Sequence, residues 1–193
     1  MKRKKGLSFY QKKKKISKNI IKEIFSWVFM IVVTVFIAFV AVYAVGTTTT
    51  VIGVSMEPGL SNGEDVLINR YAYLLTSPKV GDVITFLPNG NQNSHYYVKR
   101  VVAVQGDKVQ IVDGRLYVNG QQAMEAGYDK MEDAGIAENA IVLGINEYFV
   151  LGDNRNDSED SRSANIGLVN GDDILGKVWF RLGTDEKKMG FVK

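Results

Sequence analysis

Val109-Gln110-Ile111-Val112-Asp113-Gly114-Arg115-Leu116-Tyr117-Val118-Asn119-Gly120 sets the architecture of this chain. Two short β-branched runs flank Asp113-Gly114, a dipeptide suited to the two-residue hairpin turn that needs positive φ at both positions. Asn119-Gly120 places a second such turn directly after the hairpin. Working outward, Val66-Leu67-Ile68, Val80 to Leu87, Tyr96 to Val104, Tyr148 to Leu151 and Ile174 to Leu182 are further β-rich runs bounded by Gly, Asn, Asp or Pro. Gln121 to Asn139 is polar, contains alanine and is poor in β-branched residues, so it reads as an insertion with partial helical character. The chain beyond the first 45 residues is therefore expected to be mainly β, one folded unit with a small inserted segment. No internal repeat interrupts it.

The first 45 residues are different. Ile24 to Val45 holds no charged residue and only Ser26 and Thr34 as clearly polar side chains. As a helix its 22 residues would span about 33 Å, enough to cross the hydrocarbon of a bilayer. Ahead of it stand ten basic residues, from Lys2 to Lys22, and one acid, Glu23. That gives residues 1–23 a charge of +9, against −6 for the remainder and +3 overall. A basic flank marks the cytoplasmic side, so residues 1–23 read as a cytoplasmic tail, 24–45 as a transmembrane signal anchor and 46–193 as an extracytoplasmic domain. Beside a span, anionic lipid headgroups are a simpler partner for the tail than nucleic acid. The apolar run exceeds a cleavable signal's hydrophobic core, and Thr47 to Thr50 with Gly53 provide no small-residue exit.

The 148 residues after the anchor are long enough for a core of their own. With no cysteine and one histidine, His95, the chain excludes disulfides, thiolate catalysis, cysteine-bound zinc and histidine-rich metal sites.

Gly53-Val54-Ser55-Met56-Glu57-Pro58-Gly59 brings a serine ten residues past the anchor. Fully extended, that tether reaches about 33 Å, so Ser55 stays near the membrane surface. A hydroxyl needs an activator to become a nucleophile. Two bases are on offer in His95-Tyr96-Tyr97-Val98-Lys99-Arg100-Val101-Val102-Ala103-Val104. By strand alternation His95, Tyr97, Lys99, Val101 and Ala103 face one way. Desolvation on such a face would push the Lys99 amine toward its neutral, basic form. The competing reading has Lys99 snorkelling at a sheet edge. His95 fits a loop or a strand start. Gly152-Asp153-Asn154-Arg155-Asn156-Asp157-Ser158-Glu159-Asp160-Ser161-Arg162 is a dense polar loop that could orient a lysine amine and lock itself through Asp–Arg pairs. It fails the calcium-loop template, having Arg155 and Ser158 where ligand and glycine are needed; a solvated turn is its other reading. Gly171-Asp172-Asp173-Ile174-Leu175-Gly176-Lys177-Val178 resembles a phosphate loop but lacks the closing Ser or Thr. Its Gly176-Lys177 reads as the opening of the last strand.

With these residues in view the chain resembles the type I signal peptidases, membrane-bound serine proteases with a Ser/Lys dyad. Four blocks match in order: Ser55-Met56-Glu57-Pro58, Gly81-Asp82-Val83-Ile84-Thr85-Phe86, Val98-Lys99-Arg100-Val101 with Gly106-Asp107, and Gly152-Asp153-Asn154 through Ser158-Glu159-Asp160-Ser161-Arg162. The resemblance implies a single transmembrane helix followed by an all-β, signal-peptidase-like catalytic domain. It implies Ser55 as nucleophile, Lys99 as general base and Ser158 as the serine that positions the amine. It further implies Asp160 and Arg162 as the bracing pair, Asp153 supporting their loop, and the Ser55 backbone N–H as an oxyanion donor. Exported preproteins with small residues before the cut would be the substrates, and no metal or organic cofactor would be needed. Gly53 stands where some relatives carry a second, hydroxyl donor, and Gly59 where the family pattern has Thr. The former removes a donor worth about 2.7–4 kcal/mol; the latter bears on the rigidity of the nucleophile loop. A Ser–His hydrolase using His95 and a non-catalytic anchored binding module are the rival readings.

Overall fold

The computed structural model describes residues 18–45, 47–123, 127–184 and 188–192. Most of the basic tail and residues 124–126 of the expected insertion lie outside these. The chain divides into two compact units, Met1–Val40 and Ala41–Lys193. Helix α1 (Lys18–Val45) has 28 residues. It starts six residues before Ile24 because no Pro or Gly interrupts the preceding turn. Within it Asn19–Tyr43 is long and apolar enough to cross a membrane, and its large side chains, among them Trp27 and Phe36, are exposed.

Beyond α1, the described residues of the second unit form β strands and three short 3₁₀ turns. Its strands are β1 (Thr47–Thr50), β2 (Asp65–Asn69), β3 (Val83–Phe86), β4 (Tyr97–Ala103), β5 (Lys108–Val112) and β6 (Arg115–Val118). They continue with β7 (Gln121–Gln122), β8 (Ile141–Val142), β9 (Glu147–Leu151), β10 (Val169–Asn170), β11 (Ile174–Arg181) and β12 (Gly190–Phe191). Among the described residues the larger sheet runs β1-β2-β11-β3-β4-β9-β10, with β12 on β11, and the smaller β7-β6-β5-β8. The pairings are antiparallel.

Both hairpin turns form as the sequence predicts. Asp113 and Gly114 have φ of 50° and 72°, Asn119 and Gly120 55° and 79°, the left-handed pair such turns require. The run from Val80 forms strand only from Val83, because Gly81 at φ 94° turns the chain first. All four β3 residues are buried, since both sheet faces are covered. Val83 packs on one side with Val51, Met56, Leu60 and Val98; Ile84 and Phe86 pack on the other with Val101, Tyr148 and Val150. A third cluster joins the sheets, bringing Ala103, Phe149 and Leu151 against Val109, Ile111 and Leu116.

One expectation changes: Gly176-Lys177 lies inside β11, and β12 follows it. Among its described residues the segment Gln121 to Asn139 carries β7 and a 3₁₀ turn at Gly135–Glu138, and it adds Met131 and Ala137 to that third cluster.

Candidate active site

Ser55 occupies the turn between β1 and β2. Met56 and Leu60 are buried to 0% and 1% exposure among Val51, Val66 and Ile68. Backbone bonds Glu57 N–H to Val54 O (3.0 Å) and Leu60 N–H to Met56 O (2.8 Å) close the turn. These flanking plugs pin the backbone and leave Ser55 half-buried at a cavity of about 480 Å³. Gly53 adopts φ 88° and donates its N–H to Asn62 Oδ1 at 2.9 Å, so that group is already engaged.

Lys99 lines the same cavity from β4. Its neighbour across the sheet is Ile84, with Tyr97 and Val101 on either side, and it is only 3% exposed. Burial lowers its pKa to about 8; Asp160 and Glu159 oppose the shift, Arg162 assists it, and Asp153 opposes it more weakly. At pH 7 about one such amine in ten is neutral, against about one in three thousand for an ordinary lysine. The amine lies 5.7 Å from the centre of the Tyr97 ring. His95 also lines the cavity, but is exposed.

The Gly152–Arg162 loop folds around a carboxylate. Asp160 accepts from the Gly152 N–H (3.0 Å) and from Arg162 Nε and Nη2 (2.8 and 2.9 Å). Arg162 donates onward to the carbonyls of Arg155 and Asp133. Ionic, two-pronged bonding of this kind holds a loop more rigidly than neutral pairs do. Asn154 N–H donates to Ser55 O at 3.0 Å, joining this loop to the Ser55 turn. Gly152 sits at the seam: a Cβ there would lie 2.5 Å from Ser55 O and 2.2 Å from Ser158 Oγ. Ser158 Oγ is buried and, among the described residues, hydrogen-bonded to nothing, including Lys99. A buried hydroxyl in that condition is poised to take a partner.

Asp153 is held by a partner that sequence reasoning missed. Arg100, next to Lys99 but on the opposite face of β4, grips it with Nε and Nη2, each at 2.7 Å. Tyr128, from the insertion, adds its hydroxyl at 3.2 Å. Alternation already aims Arg100 away from Lys99, and a buried guanidinium demands a carboxylate; the pairing across 53 positions is what sequence hides. Gly59 proves to be a packing requirement. A Cβ there would stand 2.2 Å from Asp153 Oδ2, and Arg181 Nη1 holds the Gly59 carbonyl at 3.2 Å. The matched Asp82 is structural, accepting from Tyr73 OH at 3.0 Å and pairing with Lys177.

The signal peptidase, peptidase S26, family model matches residues 24–182. Signal peptidase IB of Staphylococcus aureus (strain COL) is 38% identical over 178 residues, which cover 83% of this chain and 90% of that one. Signal peptidase I P of Bacillus subtilis subsp. natto is 34% identical over 168 residues, covering 79% and 85%. A crystal structure of a signal peptidase I from Enterococcus faecalis V583 aligns with TM-score 0.42 and 26% identity, over 54% of this chain and 98% of that one. Together with the apolar helix, the Staphylococcus and Bacillus signal peptidases fit a membrane-anchored protein. A half-exposed serine and a buried lysine of lowered pKa that line one cleft thus sit in a chain that belongs to the signal peptidase family, peptidase S26, and is a serine endopeptidase.

Proposed function

We propose that this enzyme removes signal peptides from exported preproteins with Ser55 as nucleophile and Lys99 as general base. The observation that carries the mechanism is the burial of Lys99 on the wall of the cavity that Ser55 lines. Neutral Lys99 takes the Ser55 Oγ proton as the oxygen attacks the scissile carbonyl. The Ser55 N–H donates to the resulting oxyanion. The Lys99 ammonium then returns the proton to the departing amine, leaving an acyl-enzyme. A water, deprotonated by the same amine, releases the signal peptide and frees Ser55. Ser158, whose buried Oγ has no partner among the described residues, takes the amine as its partner when the site is engaged, while Asp160 with Arg162, and Asp153 with Arg100, brace the walls.

The substrate lies extended between Thr50–Ser55 and Ser94–Lys99, two of the segments that border the cavity. Small residues such as Ala precede the cut. The chain sits with residues 1–23 in the cytoplasm against anionic lipid, 24–45 in the membrane and 46–193 outside, where a ten-residue tether keeps Ser55 near the exit of the substrate's own apolar segment.

The test is processing of a preprotein by purified enzyme in detergent. Ser55→Ala and Lys99→Ala should each lose at least about 1,000-fold in kcat, while His95→Ala stays within a few-fold of the native enzyme. The reverse pattern, with Lys99→Ala active and His95→Ala dead, would replace the dyad by a Ser–His pair.

A further inference from the structure

The mouth of the cleft carries one carboxylate that is held in place without belonging to the brace. Glu159 is exposed and lines the same cavity as Ser55 and Lys99. Tyr97 OH donates to its Oε2 at 3.2 Å and Asn165 Nδ2 to its Oε1 at 3.4 Å. Tyr97 stands two residues before Lys99 on the same face of β4, and its ring lies 5.7 Å from the Lys99 amine. One side chain thus meets the amine with its ring and Glu159 with its hydroxyl. Burial and the adjacent carboxylate hold the Tyr97 phenol above its ordinary pKa, so it stays a donor. Asp157 lines the same cavity with the same charge, yet has no such pair of side-chain donors among the described residues.

We propose that Glu159, anchored by Tyr97 and Asn165, is a positioning residue that holds Tyr97 against Lys99 and electrostatically tunes the amine. The proposal rests on the Ser55/Lys99 reading. The other titratable or charged groups around the amine are Asp153, Asp160 and Arg162 from the loop, with His95 and Asp157 at the cavity and Arg100 on the far face of β4. Asp160 is locked to Arg162 and the Gly152 N–H, so its charge is inseparable from the loop's shape. Glu159 is the removable opponent of burial: without its charge, the Lys99 amine should shed its proton at lower pH.

The experiment is kcat/KM for a signal-peptide substrate against pH, using the full chain in detergent. Glu159→Gln should move the acid limb down by at least about 0.3 pH unit. Tyr97→Phe, which keeps the ring and frees the carboxylate, should move it the same way by no more than that. Asp157→Asn should leave it in place. A Glu159→Gln limb coinciding with the native one, or an equal shift in Asp157→Asn, overturns the proposal. Lys99→Ala separates the two levels. If it is inactive while the Glu159→Gln limb stays put, only Glu159 loses its role; if it is active, the dyad falls and this proposal with it.

Discussion

A lysine at 3% exposure costs the fold something, and the sign can be worked out. The folded pKa of Lys99 is about 8, below its unfolded value near 10.5. Between those values the unfolded chain binds more protons than the native one, so stability rises with pH across that window. Below it the full penalty applies, about 3 kcal/mol. Lys99→Met, similar in length and indifferent to pH, should therefore be more stable than the native protein at pH 7 by up to that amount. The gain should shrink as pH climbs from about 8 toward 10.5. Urea unfolding at several pH values checks this, and equal stabilities at pH 7 would mean the amine is solvated after all. Arg100 works in the opposite sense: its charge is answered by Asp153, so the pair is a structural asset where Lys99 is a liability.

At the scale of elements, the candidate site is a joint between the Ser55 turn and the Gly152–Arg162 loop. Their contact is backbone to backbone, Asn154 N–H to Ser55 O, across a glycine with no room for a methyl group. Gly152→Ala should push the two apart and lower kcat/KM by about 100-fold, the effect of roughly 1 Å of misplacement. Peptide cleavage against a Tm measurement checks it: activity should fall far more than stability. The sequence made β2, β3, β4, β5, β6, β9 and β11 legible, each of four or more residues, because they show alternation or an apolar run. It hid β7, β8, β10 and β12, two-residue strands too short to carry a period. It also hid β1, four threonines with β propensity but no apolar face to reveal it. Ser55 and Lys99 were legible through their motifs. The Arg100–Asp153–Tyr128 cluster was not, since its members meet only through the fold.

For the whole molecule, the charge asymmetry and α1 make orientation the property to test. The tail carries +9 ahead of an apolar segment of 22 residues. In sealed inverted vesicles, added protease should remove the tail and leave residues 46–193 intact. Digestion of the catalytic unit there would reverse the orientation proposed. Reversing the tail charge by changing Lys12 to Lys15, Lys18 and Lys22 to Glu should yield a mixed population, read from the same protection pattern.

The contact between Gly59 and Asp153 has a consequence for how this enzyme can change over generations. A Thr at position 59 collides with the carboxylate at once, whereas a smaller or displaced side chain at 153 first abandons Arg100. Neither single step is neutral, yet the two together could restore a packed loop. The order in which substitutions arrive therefore matters at this pair. A lineage holding Gly59 is tied to the present placement of the Asp153 carboxylate until both positions move, an instance of contingency written into a contact of 2.2 Å that no side chain can occupy.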